Sequence, residues 1–299
     1  MVAGQRKTLP PTSAAEDQRM PQPTLQELMQ KSTAFLLSKE LPNGRREVEW
    51  IFSETLRLTR LELYTRFDML IGEAEVLALR DRITRRGRRE PLAYVLGNQP
   101  FRSLQLLVTP AVLVPRPETE ELIDLVLADL PNDLPTKRCR ILDVGTGSGA
   151  IALALKQARP TCTVEGTDIS LDALVVARAN AEANNLDVRF HHGHLATHVT
   201  TPFELVVANL PYIGESERAV CDPELAHEPQ IALFAGADGL DLIRPLMADV
   251  TRICQQGALW LEHGWQQAEA IAAEATRLGL RSRVHRDGAG KDRFTRVSP

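Results

Sequence analysis

The sequence predicts an α/β chain: a doubly wound, mainly parallel sheet of the Rossmann-like type, preceded by a small all-α domain and joined to it by a β-hairpin. Three observations predict it. Up to residue 89 the apolar residues recur at helical spacing, and from residue 140 short apolar runs alternate with helical stretches. The first of those runs opens into a glycine-rich turn, Asp143-Val144-Gly145-Thr146-Gly147-Ser148-Gly149, where an α/β sheet places its ligand loop.

The 299 residues are enough for two domains, and 43% hydrophobic with 25% charged residues is the balance of a soluble globular protein. A net charge of −4 excludes a global basic field for nucleic acid; the local arginine strip over 80–89 reads as a solvated helix face. Cys139, Cys162, Cys221 and Cys254 are scattered without paired spacing, so reduced thiols in a cytoplasm are expected, without disulfides or zinc. No apolar run is long enough to span a bilayer, and residues 1–23, rich in Pro, Ser, Thr and Gln, lack the apolar segment of a secretory signal. They read as a disordered tail, with Met20 an alternative start.

Residues 24–97 form the expected helical domain. Thr24 and Glu27 make a capping box ahead of a helix whose Leu25, Leu28, Phe35 and Leu36 share a face. A second helix follows Asn43-Gly44 and buries Val48, Ile51, Phe52 and Leu56; two more cover 60–70 and 73–88, the last with Val76, Leu77, Leu79 and Ile83 inward. The segment Glu90-Pro91-Leu92-Ala93-Tyr94-Val95-Leu96-Gly97 breaks the helical period and marks the junction. Residues 98–114 are the hairpin linker, the alternating pattern running from Phe101 to Val114 around Pro110. In Val114-Pro115-Arg116-Pro117-Glu118-Thr119-Glu120, the prolines stiffen the approach to a helix that Glu118 or Thr119 can cap. The remainder, 115–299, holds strands at 141–144, 162–167, 188–191, 203–208, 258–262, 281–285 and 294–297, the last two an antiparallel edge. Helices at 150–158, 171–184, 240–254 and 266–278 alternate with them.

Two turns carry the chemistry. In the first, Gly145, Thr146, Gly147, Ser148 and Gly149 let the backbone turn tightly and approach a ligand with no Cβ in the way. The next strand ends at Asp168, whose carboxylate can accept from two ribose hydroxyls. Gly145, Gly147 and Ala150 also satisfy the looser dinucleotide fingerprint, so this loop alone indicates only a nucleoside-containing ligand.

The second turn, Asn209-Leu210-Pro211-Tyr212, follows the buried strand at 203–208. Asn209 offers a side-chain carbonyl, and Pro211 biases Leu210 to an extended conformation, so that the Leu210 carbonyl can point the same way. Two acceptors beside an aromatic wall, Tyr212, suit a planar NH2 group; an ordinary strand-ending turn is the bland alternative. The pairing with the glycine turn separates the readings, because a nicotinamide enzyme needs no grip on an NH2. His191, His192, His194 and His198 cluster on a strand-to-loop segment without a Cys or carboxylate pair, which is a surface pattern, and no metal is expected.

The glycine turn with the asparagine block resembles adenosylmethionine-dependent methyltransferases that act on planar NH2 groups. EPLAYVLG, VPRPETEELI, ILDVGTGSGAIALAL, NLPYI and LEHGWQQ, five separated blocks in order over 24–299, are similar to the bacterial protein-(glutamine-N5) methyltransferases of peptide chain release factors, the HemK family. The resemblance implies S-adenosylmethionine as cofactor and the side-chain amide nitrogen of glutamine in the release-factor GGQ motif as acceptor. It implies Gly145, Thr146, Gly147, Ser148, Gly149, Asp168, Leu195 and Asn209 as cofactor contacts, with Asn209, Leu210, Pro211 and Tyr212 as catalytic and glutamine-gripping residues. The helical domain is then expected to dock the protein substrate; a cytoplasmic chain with no membrane or nucleic-acid partner is expected, and nothing in the sequence demands more than a monomer. Two positions depart from the family pattern. Leu210 replaces a first proline, and His194-Leu195 replaces an acidic residue followed by an aromatic. The alternatives are a ribosomal-protein glutamine methyltransferase, a nucleic-acid adenine methyltransferase and a non-catalytic nucleotide-binding adaptor.

Overall fold

The computed structural model describes residues 22–130, 139–254 and 257–299. The expected tail lies outside the described residues except for Gln22 and Pro23. The chain divides into two compact units, Met1–Ile83 and Thr84–Pro299.

The first unit is helical. The capping box forms as the sequence predicts, Thr24 exchanging hydrogen bonds with Glu27 at the start of α1 (Leu25–Ser38). α2 (Gly44–Leu56) buries Val48, Ile51 and Phe52, and α3 (Arg60–Thr65) opens on a second capping box, Thr59 with Glu62. Glu49, 3% exposed, receives Arg60 and the Tyr64 hydroxyl, so this buried carboxylate ties α2 to α3. α4 (Glu73–Gly87) turns Leu79 and Ile83 inward. Phe35 and Leu77, expected inside, are 37% and 58% exposed: both are helical-face neighbours of core positions, displaced past the edge of the apolar stripe.

In the second unit the junction segment is not irregular. Residues Leu92–Leu96 form a helical turn, α5, closed by Gly97 at φ +82°. Pro91 at its N-cap explains the apparent break in period. The hairpin also sits earlier than the pattern suggests, β1 being Asn98–Phe101 and β2 Leu104–Leu107. Arg102 adopts φ +52° at its tip and closes the turn, which the sequence does not announce because arginine rarely takes that conformation. Tyr94, Val108, Val112 and Val114 then pack with Ala173 and Val176 of the helix at Leu171–Ala183. The arginine strip is a solvated face only at Arg80 and Arg88. Arg85 pairs with Glu90, Arg86 and Arg89 both reach Glu224, and Arg86 is only 5% exposed.

The main sheet has seven strands in the order β5-β4-β3-β6-β7-β9-β8. Its parallel part is β3 (Arg140–Val144), β4 (Thr163–Asp168), β5 (Arg189–His192), β6 (Leu205–Asn209) and β7 (Ala258–Glu262), and β8 (Arg281–Arg286) and β9 (Asp292–Ser298) add an antiparallel edge. Helices α6 (Pro117–Asp129), α7 (Ala150–Ala158), α8 (Leu171–Ala183), α9 (Ile243–Ala248), α10 (Val250–Ile253) and α11 (Ala268–Arg277) complete the layers. Successive strand residues enter opposite cores: Leu205 and Val207 pack with Leu122 of α6 and Leu153 of α7, whereas Val206 and Ala208 pack with Ile243, Leu246 and Ile271. Both sheet faces are covered, which is why the strands read as unbroken apolar runs.

Cys139 and Cys162, expected as separate thiols, are joined by a disulfide. They stand one position before the Arg140–Thr163 pair, so the parallel register of β3 and β4 sets them side by side. Spacing along the chain gave no sign of this. Cys221 and Cys254 are free.

Candidate active site

From β3 the chain moves outward through β4 to β5, then returns to the other flank of β3 as β6, with Val144 beside Ala208. That reversal opens a crevice beyond the carboxyl ends of β3 and β6, where open α/β sheets hold ligands. The glycine turn leaves one strand and the asparagine turn the other, and they meet. Gly145 takes φ +75°, and a Cβ there would fall 2.8 Å from Leu210 Cδ2 and 3.9 Å from the Asn209 carbonyl oxygen. Leucine in place of a proline therefore wedges against the first glycine.

Gly145, Thr146, Gly147, Ser148, Asp168, Leu195, Asn209, Leu210 and Pro211 line a single cavity. Gly147 is at φ +55° with open space where a Cβ would stand. Gly149 instead packs against Leu153, Ala177 and Phe190, and its φ of +82° starts α7. Asp168 is held by backbone donors, Gly147 N–H at 2.8 Å and Ser170 N–H at 2.8 Å, and its oxygens keep further lone pairs for a ligand. Leu195 takes φ +50°, a costly conformation for leucine, at the cavity wall. This cradle of bare backbone, carboxylate and apolar wall fits a nucleoside joined to an amino-acid-like group.

Tyr212 lines a second, adjoining cavity, which shares Asn209, Leu210 and Arg116 with the first. Burial beside Glu262 pushes its phenol well above the ordinary value, so it stays protonated. Gln267 holds its backbone, donating to the Tyr212 and Asp238 carbonyls at 2.8 Å each while accepting Gly264 N–H. Gly239 allows this approach: a Cβ there would lie 2.0 Å from the Tyr212 carbonyl oxygen. Arg116 is anchored by Glu228 at 2.5 Å, and Glu228 also accepts Val114 N–H, which ties the proline-rich segment to the loop after β6.

Behind each turn lies a buried carboxylate. Asp143 accepts the Thr146 hydroxyl at 2.6 Å and Ala152 N–H at 3.1 Å, and burial pushes it to about 7. Glu262, directly across from Asn209 in the β6–β7 register, accepts the Thr119 hydroxyl at 2.8 Å; burial raises it to about 7 despite the opposing pull of Thr119 and Arg293. The Asn209 side-chain NH2 donates to Thr119 Oγ1 at 3.0 Å. Its Oδ1 has no partner among the described residues. Thr119 does not cap α6, whose N-cap is Arg116 without a side-chain hydrogen bond. Glu262, Gln267 and Glu228 received no individual role from the sequence, and Thr119 only that of a helix cap, although Thr119, Glu262 and Gln267 lie within the VPRPETEELI and LEHGWQQ blocks.

His191 and His198 stack at 4.8 Å and His191 contacts Glu165 at 2.8 Å. Among the described residues no group of three or more His, Cys, Asp or Glu is arranged to hold a metal ion, and no helix is long and apolar enough to cross a membrane.

Residues 121–228 match the family model described as methyltransferase small domain, and residues 27–97 match the PrmC N-terminal domain. A release factor glutamine methyltransferase of Deinococcus radiodurans is 40% identical, over 91% of this chain and 98% of the relative. The enzyme of that name from Geobacter sulfurreducens is 36% identical over 86% and 90%. This chain belongs to the release factor glutamine methyltransferase family. Among solved structures, the hMettl16 catalytic domain aligns with a TM-score of 0.51 at 13% identity, over 89% of this chain and 90% of that one, a likeness of fold.

Proposed function

We propose that this protein transfers a methyl group from S-adenosylmethionine to the side-chain amide nitrogen of the glutamine in the GGQ motif of class I release factors. One observation carries the reading: the glycine turn and Asn209 open on one cavity, and the Asn209 oxygen is left without a partner among the described residues while its NH2 is tied back to Thr119. Gly145, Thr146, Gly147 and Ser148 would receive the amino-acid part of the cofactor, Asp168 its ribose and Leu195 its base. When bound, the cofactor supplies an electrophilic methyl group.

An amide nitrogen is a weak nucleophile because its lone pair is delocalised into the carbonyl. In the proposed arrangement Asn209 Oδ1 and the Leu210 carbonyl accept the two N–H bonds of the glutamine and aim that lone pair. The same oxygens stabilise the positive charge that grows on nitrogen, without reorganising at the moment of reaction. Alignment of the two reacting groups contributes as much as about 7–11 kcal/mol. Tyr212 and Pro211 pack the glutamine side chain and exclude water. The domain at 24–97 docks the protein substrate, with the hairpin of 98–114 as linker, in keeping with the match of 27–97 to the PrmC N-terminal domain. The protein acts as a cytoplasmic monomer without membrane or nucleic-acid partners.

The test is incubation of the full chain with methyl-labelled S-adenosylmethionine and, separately, a class I release factor, ribosomal protein and DNA. Label in the release factor, abolished by changing the GGQ glutamine, is expected. Label only in ribosomal protein or in DNA would overturn the assignment.

A further inference from the structure

Asn209 must present its oxygen, not its NH2, to the cavities, and a carboxamide rotated by half a turn has nearly the same shape. The hydrogen bonds behind it break that symmetry. Thr119 and Glu262 are 4% and 1% exposed, so no solvent intervenes. An ionised carboxylate only accepts, which commits the single Thr119 hydroxyl proton to Glu262 Oε2 at 2.8 Å. The hydroxyl oxygen can then only accept from Asn209, 3.0 Å away, and the atom facing it must be the nitrogen. Oδ1 is left on the far side.

We propose that Thr119 and Glu262 are positioning residues for methyl transfer: ionised Glu262, acting through the Thr119 hydroxyl, sets which way the Asn209 carboxamide faces and strengthens its oxygen as an acceptor. The strengthening follows from donation in series, since drawing on the amide N–H toward an anion raises electron density on the amide oxygen. The inference rests on the methyl-transfer reading above.

Protonation undoes the arrangement. A neutral Glu262 can donate to Thr119, whose own proton is then released to point at Asn209, and the carboxamide oxygen can swing toward it. The groups facing Glu262 are Arg293 on β9, Glu118 on α6 and Tyr212 after β6, with Thr119 and Asn209 as hydrogen-bond partners. Arg293 favours the ion, whereas Glu118 and burial oppose it. The acceptor amide does not titrate near neutrality, so an acid limb in turnover reports on the enzyme.

The experiment compares wild type with Glu262→Gln, Thr119→Val and Thr119→Ser on full-length release factor, measuring kcat and KM across pH 6–9, cofactor Kd by calorimetry, and the Asn209 side-chain amide resonance by NMR. Glu262→Gln and Thr119→Val should lower kcat by about 100-fold, in the range seen when one preorganised polar contact is removed. KM and cofactor Kd should change less than about threefold, and Thr119→Ser should restore most of the rate. Wild-type kcat should rise with pH to a plateau while the Asn209 amide signal shifts in step, and Glu262→Gln should abolish that shift. Unimpaired kcat in Glu262→Gln or Thr119→Val would overturn the inference. If those variants do not fold, a flat wild-type kcat profile or a pH-independent Asn209 signal would do the same. A wild type that labels no release factor refutes the underlying reading, whereas an active wild type with indifferent variants refutes only this role.

Discussion

The two corners of the cavity are built alike and wired differently. Each has a backbone turn at the end of a parallel strand and a buried carboxylate behind it, Asp143 under the glycine turn and Glu262 under the asparagine turn. Asp143 takes its hydrogen bonds from Thr146 and Ala152, three and nine residues along. Glu262 is met by Thr119 from 143 residues away, and Thr119 by Asn209 from 90. The carboxylate under the glycine turn is thus held by its own segment, although the turn above it also donates to β4, at the Thr167 carbonyl and at Asp168. A corner closed from three elements exists only once the sheet is in register. Under the proposed function, the first corner holds the cofactor and the second selects the acceptor.

The largest expected effect breaks the long-range corner at its tip. Asn209→Ala should cut kcat by on the order of 10³ while Tm stays near wild type, because the lost acceptor acts most strongly in the transition state. Turnover within tenfold of wild type in a single-turnover assay would contradict the role given to Oδ1.

The two carboxylates give the next contrast. Asp143 has a folded pKa of about 7 against 3.8 unfolded, so the native state binds more protons than the unfolded state between these values and stability falls as pH rises through that window. Asp143→Asn does not titrate. Its stability relative to wild type should therefore improve by about 2–3 kcal/mol between pH 5 and pH 8. Urea titrations at the two pH values measure this directly, and a constant difference would mean that Asp143 is ionised throughout.

At the local corner, Asp168→Ala should weaken cofactor binding by roughly 10- to 100-fold, the size of a lost hydrogen bond to a charged group. The KM for release factor should remain nearly unchanged. An unaltered cofactor Kd by calorimetry would remove Asp168 from the ribose role. The smallest effect is expected from Leu210→Pro, which keeps the backbone carbonyl and removes the side chain wedged at Gly145. Turnover should change by less than about threefold, since extended backbone before and at a proline is what the end of a strand already supplies. A much larger change would show that the Leu210 side chain, not its carbonyl, matters to the grip.

Much of this molecule is legible in the order of its residues. The strand expected at 258–262 and the helix at 150–158 coincide with β7 and α7, because a strand covered on both faces must be apolar throughout and an amphipathic helix must repeat at 3.6. The glycine turn is legible for a similar reason: its conformational demands fall on the residues that make it. Errors gather where a residue's partner is remote. Cys139 and Cys162 become neighbours only through the β3–β4 register, and Arg86 is buried only because Glu224 comes to meet it.

What the sequence alone determined, then, is a cofactor-type glycine loop on a parallel sheet and an asparagine turn fit to hold an NH2, since backbone freedom and hydrogen-bonding capacity are properties of the residues themselves. Tertiary structure decided that the two turns share a cavity and that Thr119 and Glu262 stand behind Asn209. Those are consequences of strand order, and strand order is set by the packing of both faces of the sheet at once.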